Sequence, residues 1–179
     1  FLGFGVVFKR QGERGEICIC TPTVMKGYYN KPDETDMILR RHADGQIWAH
    51  TGDVGYMDED GFVYLDSRIK RMIIRHDGFK VFPSMIENVI SRHPAVQQCC
   101  VVGCADTDHT QGRLPFVFVV LDPAAAGKKR QILRELRQLC REELPEYVQP
   151  ASSAYKIIPE MPMTPAGKAD YRKLEEEVG

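Results

Sequence analysis

The stretch 129–143 most restricts what this chain can become. Ile132, Leu133, Leu136, Leu139, Cys140 and Leu144 recur at helical spacing, and Pro145 stops the run. An amphipathic helix must lay its apolar stripe on another element. The sequence offers two partners: residues 96–104 and 114–121 are short, apolar and β-branched, and read as strands.

The same reading extends along the second half of the chain. Met72-Ile73-Ile74, the turn His76-Asp77-Gly78 and Phe79-Lys80-Val81-Phe82 predict a hairpin. Pro83 opens a helix with Met85, Ile86, Val89 and Ile90 as its apolar stripe, Ser84 and Glu87 as a capping box, and His93-Pro94 at its end. Residues 155–158 read as a last strand, 161–167 as a loop and 169–177 as a terminal helix. The order after residue 70 is ββ-α-β-β-α-β-α, which predicts a compact α+β domain. Residues 1–66 read as mostly β. Residues 6–20 form two strands around Gly12-Glu13-Arg14-Gly15, and 33–41 a short helix. Ile47–His50 and Val54–Met57 flank Thr51-Gly52-Asp53, while Asp58–Gly61 turns into a return strand, Phe62–Leu65. A boundary is placed at 66–70.

Composition narrows the classes. Hydrophobic residues make up 43% of the chain, enough for a core. The net charge of −1 gives no general pull toward nucleic acid or an anionic membrane. No apolar run approaches the roughly 18 residues of a membrane-spanning helix. The six cysteines, Cys18, Cys20, Cys99, Cys100, Cys104 and Cys140, lack zinc-knuckle spacing and a nearby His to complete a set. They are expected to be buried, reduced thiols of a cytoplasmic protein, with no metal. The chain opens on Phe1 with no initiator Met and no signal-peptide pattern, so a fragment of a longer protein is expected.

Three patches carry chemistry. In Thr51-Gly52-Asp53, a carboxylate after a glycine turn can accept hydrogen bonds from two neighbouring hydroxyls, as on a ribose; a plain turn residue is the bland alternative. Between Arg68-Ile69-Lys70 and Gly78-Phe79-Lys80, cations on a hairpin can meet an anion, or simply guard a strand edge. In Thr164-Pro165-Ala166-Gly167-Lys168, a flexible Pro/Gly loop can present an ammonium to a phosphoryl group, although a lysine near a chain end is ordinarily inert. The basic face of the 128–141 helix reads as solvated.

Together the patches resemble one family. GEICICTPTVMKGYYNKPDET, HTGDVGYMDEDGFVYLDSRIKRMII, DGFKVFPSMIENVI and PMTPAGKADYRKL, in that order, are similar to segments of the adenylate-forming (AMP-binding) superfamily of acyl-CoA ligases, luciferase-like enzymes and peptide-synthetase adenylation domains. The resemblance implies that residues 1–66 end the large N-terminal domain with a β-barrel-like subdomain, that 67–70 are a hinge, and that 71–179 are the small mobile α+β domain. It also implies a reaction: a carboxylate is activated by ATP to an acyl-adenylate, and a thiol then displaces AMP while the C-terminal domain alternates between two positions.

Residue by residue, the resemblance assigns Asp53 to the ribose of ATP or AMP, Arg68 to the same ribose or phosphate, and Lys70 to the hinge. Gly78 and Phe79 fall on the loop near the pantetheine tunnel. Lys168 is the lysine of the adenylation step, bridging substrate carboxylate and α-phosphate. Ser67 stands where the family usually has Gly, and Arg75 is the nearest candidate for a second basic residue of thiolation. The implied cofactors are ATP/AMP, coenzyme A and Mg2+, the last bound mainly by the absent N-terminal part. Acyl-CoA ligase, adenylation domain loading a carrier protein, and non-catalytic binding module stay open as alternatives. The fragment alone is expected to be inactive, and its parent an acid–thiol ligase.

Overall fold

The structure, a computed structural model, describes residues 5–7 and 14–179. The chain divides into two compact units, Phe1–Lys70 and Arg71–Gly179.

The first unit is a sheet built on one long strand. Its strands are β1 (Gly5–Val7), β2 (Gly15–Cys20), β3 (Leu39–Arg41), β4 (Ile47–Met57) and β5 (Val63–Arg68). β4 pairs with β2 along one edge. Along its other edge it pairs first with β3 and then with β5, all antiparallel. β1 pairs with β2, with Val6 opposite Ile19, and the predicted turn at 12–15 lies largely outside the described residues. Two expectations change here. Helix α1 covers Pro32–Ile38 only, because Leu39–Arg41 is drawn into the sheet opposite Ile47–Ala49. Ile47–His50 and Val54–Met57 are one strand, with Thr51-Gly52-Asp53 inside it instead of in a turn between two. The hairpin from β4 to β5 turns as expected: the Asp58 carboxylate accepts from the N–H groups of Asp60 and Phe62, and Gly61 takes φ 86°.

In the second unit, β6 (Ile73–Ile74) and β7 (Lys80–Val81) form a hairpin. α2 (Pro83–Ile90) follows, then β8 (Val96–Ala105) and β9 (Arg113–Leu121), α3 (Lys129–Glu143), β10 (Tyr155–Ile157) and α4 (Tyr171–Val178). The element order is the one predicted, and α3 has the predicted limits. β8 and β9 are antiparallel, and β10 joins β9 in parallel through the α3 crossover, giving the order β10-β9-β8.

Alternation along the strands gives this sheet two covered faces. Val101, Val117, Val119 and Leu121 point to one. Ile86, Val89 and Ile90 of α2 and Ile132, Leu136 and Cys140 of α3 close it. Each fully buried Ile or Leu there contributes roughly 1.5–3 kcal/mol. Cys100, Val102, Phe118 and Val120 point to the other, covered by Leu174 of α4 with Ile158 and Met161.

The predicted capping box of α2 does not form. Phe82 occupies the N-cap with no side-chain cap bond, and Pro83 starts the helix without needing an N–H. Glu87 turns instead to the Arg71 guanidinium and accepts from the Val101 N–H at 2.9 Å. Arg71 also donates to the Val101 carbonyl at 3.1 Å. A half-buried cation thereby ties α2 and β8 to the start of this unit, a link that no local pattern in the sequence displays.

Candidate functional site

Asp53 owes its setting to an irregularity in β4. Between the pairs Glu16–Val54 and Cys18–His50 the register shifts, because β4 spends more residues than β2. The extra chain is absorbed at Thr51 and Gly52, where Gly52 takes φ 74° in the left-handed region. Three bonds hold this bulge. Thr51 Oγ1 donates to the Ile17 carbonyl at 2.7 Å and accepts from the Asp53 N–H at 3.0 Å, while Glu16 Oε1 accepts from the Gly52 N–H at 3.1 Å.

Across β4 and β5, Asp53 stands opposite Arg68, beyond a second register shift after Val54. Arg68 Nε lies 2.9 Å from Asp53 Oδ1, and the side chains are 63% and 27% exposed respectively. The structure therefore joins two residues singled out separately in the sequence. It yields a partly exposed carboxylate, aimed by a bulge and steadied by a guanidinium, that can accept hydroxyl donors. Lys70 follows in a 3-10 turn, Ile69–Arg71, at the end of the first unit.

The other sequence-predicted residues lie in the second unit. Gly78 occupies the tip of the β6–β7 hairpin with φ 82°, its N–H bonded to the Arg75 carbonyl at 3.0 Å. A side chain at that φ is strained, although open space surrounds the position. Phe79 is half exposed and rests against the Tyr147 ring at 4.8 Å. Arg75 bonds the Asp77 carboxylate and the Tyr147 carbonyl, so it anchors the hairpin to the 145–149 segment.

Lys168 is exposed and follows a closed turn, where a flexible loop was expected. The Gly167 N–H bonds the Thr164 carbonyl at 2.9 Å, with Gly167 at φ 74°. The Thr164 N–H bonds the Lys168 carbonyl at 2.7 Å, and Met163 bridges Ala169. Among the described residues the Lys168 ammonium enters no ion pair.

Two polar clusters escape sequence reading because their members are far apart in the chain. In the first unit Cys18, His42 and His50 converge, against the expectation that no His stands near the cysteines. In the second unit Asp106, the buried charged residue, accepts from His76 Nδ1 at 3.2 Å and His109 Nδ1 at 2.9 Å. Burial pushes the Asp106 carboxyl up, but the Asp108 N–H and the two histidines outweigh it and hold it below the usual value. All six cysteines are free thiols. Burial, reinforced by the Glu87 charge, pushes Cys99 up to about 12 and Cys100 up to about 11. No described helix is long and apolar enough to cross a membrane.

The second unit thus joins an α+β sheet of this strand order to a closed turn that displays Lys168, and the first unit carries the paired Asp53 and Arg68. Residues 85–168 match the AMP-binding enzyme C-terminal domain family, so the second unit carries the C-terminal domain of adenylate-forming enzymes. It is 41% identical to a long-chain-fatty-acid–CoA ligase of Bacillus subtilis over 165 residues, which are 92% of this chain and 27% of that protein. It is 38% identical to the fatty acid–[acyl-carrier-protein] ligase ScoC of Streptomyces coeruleorubidus, covering 92% of this chain and 29% of ScoC. Among solved structures, o-succinylbenzoate CoA synthetase of Bacillus subtilis, in complex with its acyl-adenylate intermediate, superposes with a TM-score of 0.76. That match is at 29% identity and covers 97% of this chain and 33% of the synthetase. The chain thus spans about 27% of the length of the fatty-acid ligase it matches.

Proposed function

We propose that this chain is the C-terminal part of an ATP-dependent ligase that converts a carboxylic acid to an acyl-adenylate and then to an acyl-CoA thioester. The observation that carries the reading is the Asp53–Arg68 pair, a partly exposed carboxylate held by a guanidinium on the neighbouring strand. Such a carboxylate accepts from vicinal hydroxyls, and the acyl-adenylate bound by the o-succinylbenzoate synthetase contains a ribose.

In this reading Asp53 holds the ribose of ATP or AMP and Arg68 orients Asp53 while facing the same ribose or phosphate. Residues 67–70, with Lys70 as the hinge residue, link the end of the N-terminal domain, 1–66, to the mobile domain, 71–179. Lys168 stabilises the charge that develops between carboxylate and α-phosphate during adenylation. Gly78 and Phe79 approach the pantetheine arm during thiolation, where the missing β-carbon admits a close contact. Coenzyme A supplies the thiol. Mg2+ neutralises phosphate charge when bound, and its ligands are assigned to the N-terminal part of the parent protein. The parent is placed in the cytoplasm.

The test is carboxylate-dependent exchange of pyrophosphate into ATP by the full-length parent. Activity there, a severe loss in Lys168→Ala, and none from the 179 residues alone are expected. Full exchange by the Lys168→Ala parent overturns the lysine assignment, and exchange by the isolated chain overturns the fragment reading. A second reading, loading of a carrier protein, draws support from ScoC, a fatty acid–[acyl-carrier-protein] ligase. Offering CoA or a carrier protein as the thiol separates the two.

A further inference from the structure

The bulge that aims Asp53 has no strand partner of its own, so side chains must hold what pairing leaves free. The β2–β4 ladder pairs Glu16 with Val54 and Cys18 with His50, and skips Thr51, Gly52 and Asp53. One carboxylate spans the gap. Glu16 Oε1 accepts from the Gly52 N–H at 3.1 Å, and Glu16 Oε2 accepts from His50 Nδ1 at 2.8 Å. Glu16 is therefore tied both to the residue before Asp53 and to the residue before the bulge.

His50 is itself braced. Glu16 fixes its tautomer with the proton on Nδ1, so Nε2 accepts from His42 Nε2–H at 3.0 Å. Cys18 Sγ rests 3.5 Å from Nδ1 and is a weaker acceptor than the carboxylate. The His42 ring stacks on buried Trp48 at 5.4 Å and 19°, and Trp48 Nε1 donates to Asp44 Oδ2 at 2.9 Å. A continuous set of contacts thus runs from Asp44 through Trp48, His42, His50 and Glu16 to the Gly52 N–H. The Glu16 and His50 side chains are 26% and 14% exposed, so their charge-assisted bond forms partly shielded from water, where it holds its geometry well.

Granted the ribose role proposed above for Asp53, we propose that Glu16, anchored by His50, is a positioning residue for it. Glu16 keeps Gly52 in its left-handed conformation at φ 74° and so sets the direction in which the next residue leaves the bulge. Thr51 holds the Asp53 N–H and Arg68 holds one carboxylate oxygen. Without Glu16 the Gly52 N–H loses its acceptor, the bulge relaxes, and the Asp53 carboxylate shifts from the line of the hydroxyls. Hydrogen bonds weaken steeply with such misalignment.

Isothermal titration of the full-length parent with AMP and with its dideoxy analogue, which lacks both ribose hydroxyls, tests this. The two ligands share base and phosphate. The parent should bind AMP roughly 10–100-fold more tightly than the analogue. Glu16→Ala should cut that ratio roughly tenfold through weaker AMP binding, with affinity for the analogue kept. A general loss of structure, or a changed field at the phosphate, weakens or strengthens both ligands alike. In an Asp53→Asn background Glu16→Ala should change the ratio little further, because both act on the same hydrogen bonds. If Glu16→Ala lacks the circular dichroism of the parent, His50→Phe, which keeps Glu16 but removes its anchor, should lower the ratio in the same way. Equal affinity of the parent for both ligands overturns the ribose role of Asp53 and the role of Glu16 with it. A ratio that falls in Asp53→Asn but holds in whichever of Glu16→Ala and His50→Phe folds overturns the role of Glu16 alone.

Discussion

Gly112 and His76 approach so closely that a β-carbon at 112 would stand 2.3 Å from the His76 backbone nitrogen and 2.7 Å from its Cα. Gly112 also has φ 106°. The β8–β9 turn is thus pressed against the hairpin that carries Gly78 and Phe79. Gly112→Ala must move backbone on one side. Overpacking costs about 1–3 kcal/mol and the left-handed φ about 1 more. The urea midpoint should fall accordingly with an unchanged slope. Gly127→Ala, which meets nothing within 4 Å, should leave the midpoint almost where it is.

Glu87→Ala removes the partner of a guanidinium that is only 24% exposed and frees the Val101 N–H. Leaving such a charge unpaired should cost about 3 kcal/mol, read from chemical denaturation. Arg71→Met together with Glu87→Leu removes both charges and should recover most of that loss, because the expense lies in the orphaned cation.

The raised thiols make stability pH-dependent on the alkaline side. Cys99 and Cys100 keep their protons in the folded state up to about 12 and about 11, whereas the unfolded chain releases them near 9.0. Their contribution is therefore complete below pH 9 and is lost as the pH rises toward the folded values. The urea midpoint should be lower at about pH 10.5 than at about pH 8. The gap should narrow in the Cys99→Ala/Cys100→Ala double variant.

Asp53→Asn separates binding from folding. Its ion-pair partner Arg68 is largely exposed and screened by water, so stability should change by less than about 1 kcal/mol. Charge-assisted hydrogen bonds to a ribose are worth about 1.5–3 kcal/mol, so affinity of the full-length parent for AMP should fall by roughly 10–100-fold. Isothermal titration of the variant with AMP reads this directly.

What the sequence displays and what it conceals follow from distance along the chain. The helix at 129–143 and the hairpin around Gly78 are written in neighbouring residues and can be read there. Leu39–Arg41 continues a helical pattern, yet β4 captures it, since a free sheet edge outbids the end of a short helix. Glu87 satisfies the spacing of a capping box, but a cation 16 residues upstream claims its carboxylate. The bulge at Thr51-Gly52 arises only when β2 is laid against β4. Asp53 and Arg68 are visible as residue types, while their mutual aim depends on register. Cys18, His42 and His50 share no motif spacing at all, and folding alone assembles them.

The two faces of the second sheet are unequally covered. α2 and α3 seal one side, whereas a single helix lies on the other, with Leu174 its one fully buried side chain. The turn bearing Lys168 runs between Met161 and Leu174, both on this thinner side. Amide protons of α4 and of residues 161–170 should then exchange through a partial opening that leaves the larger cluster closed. The lysine belongs to the least cooperative layer of its unit, so its local order can be tuned by substitutions at Met161 or Leu174 without touching the layer on which the unit's global stability rests.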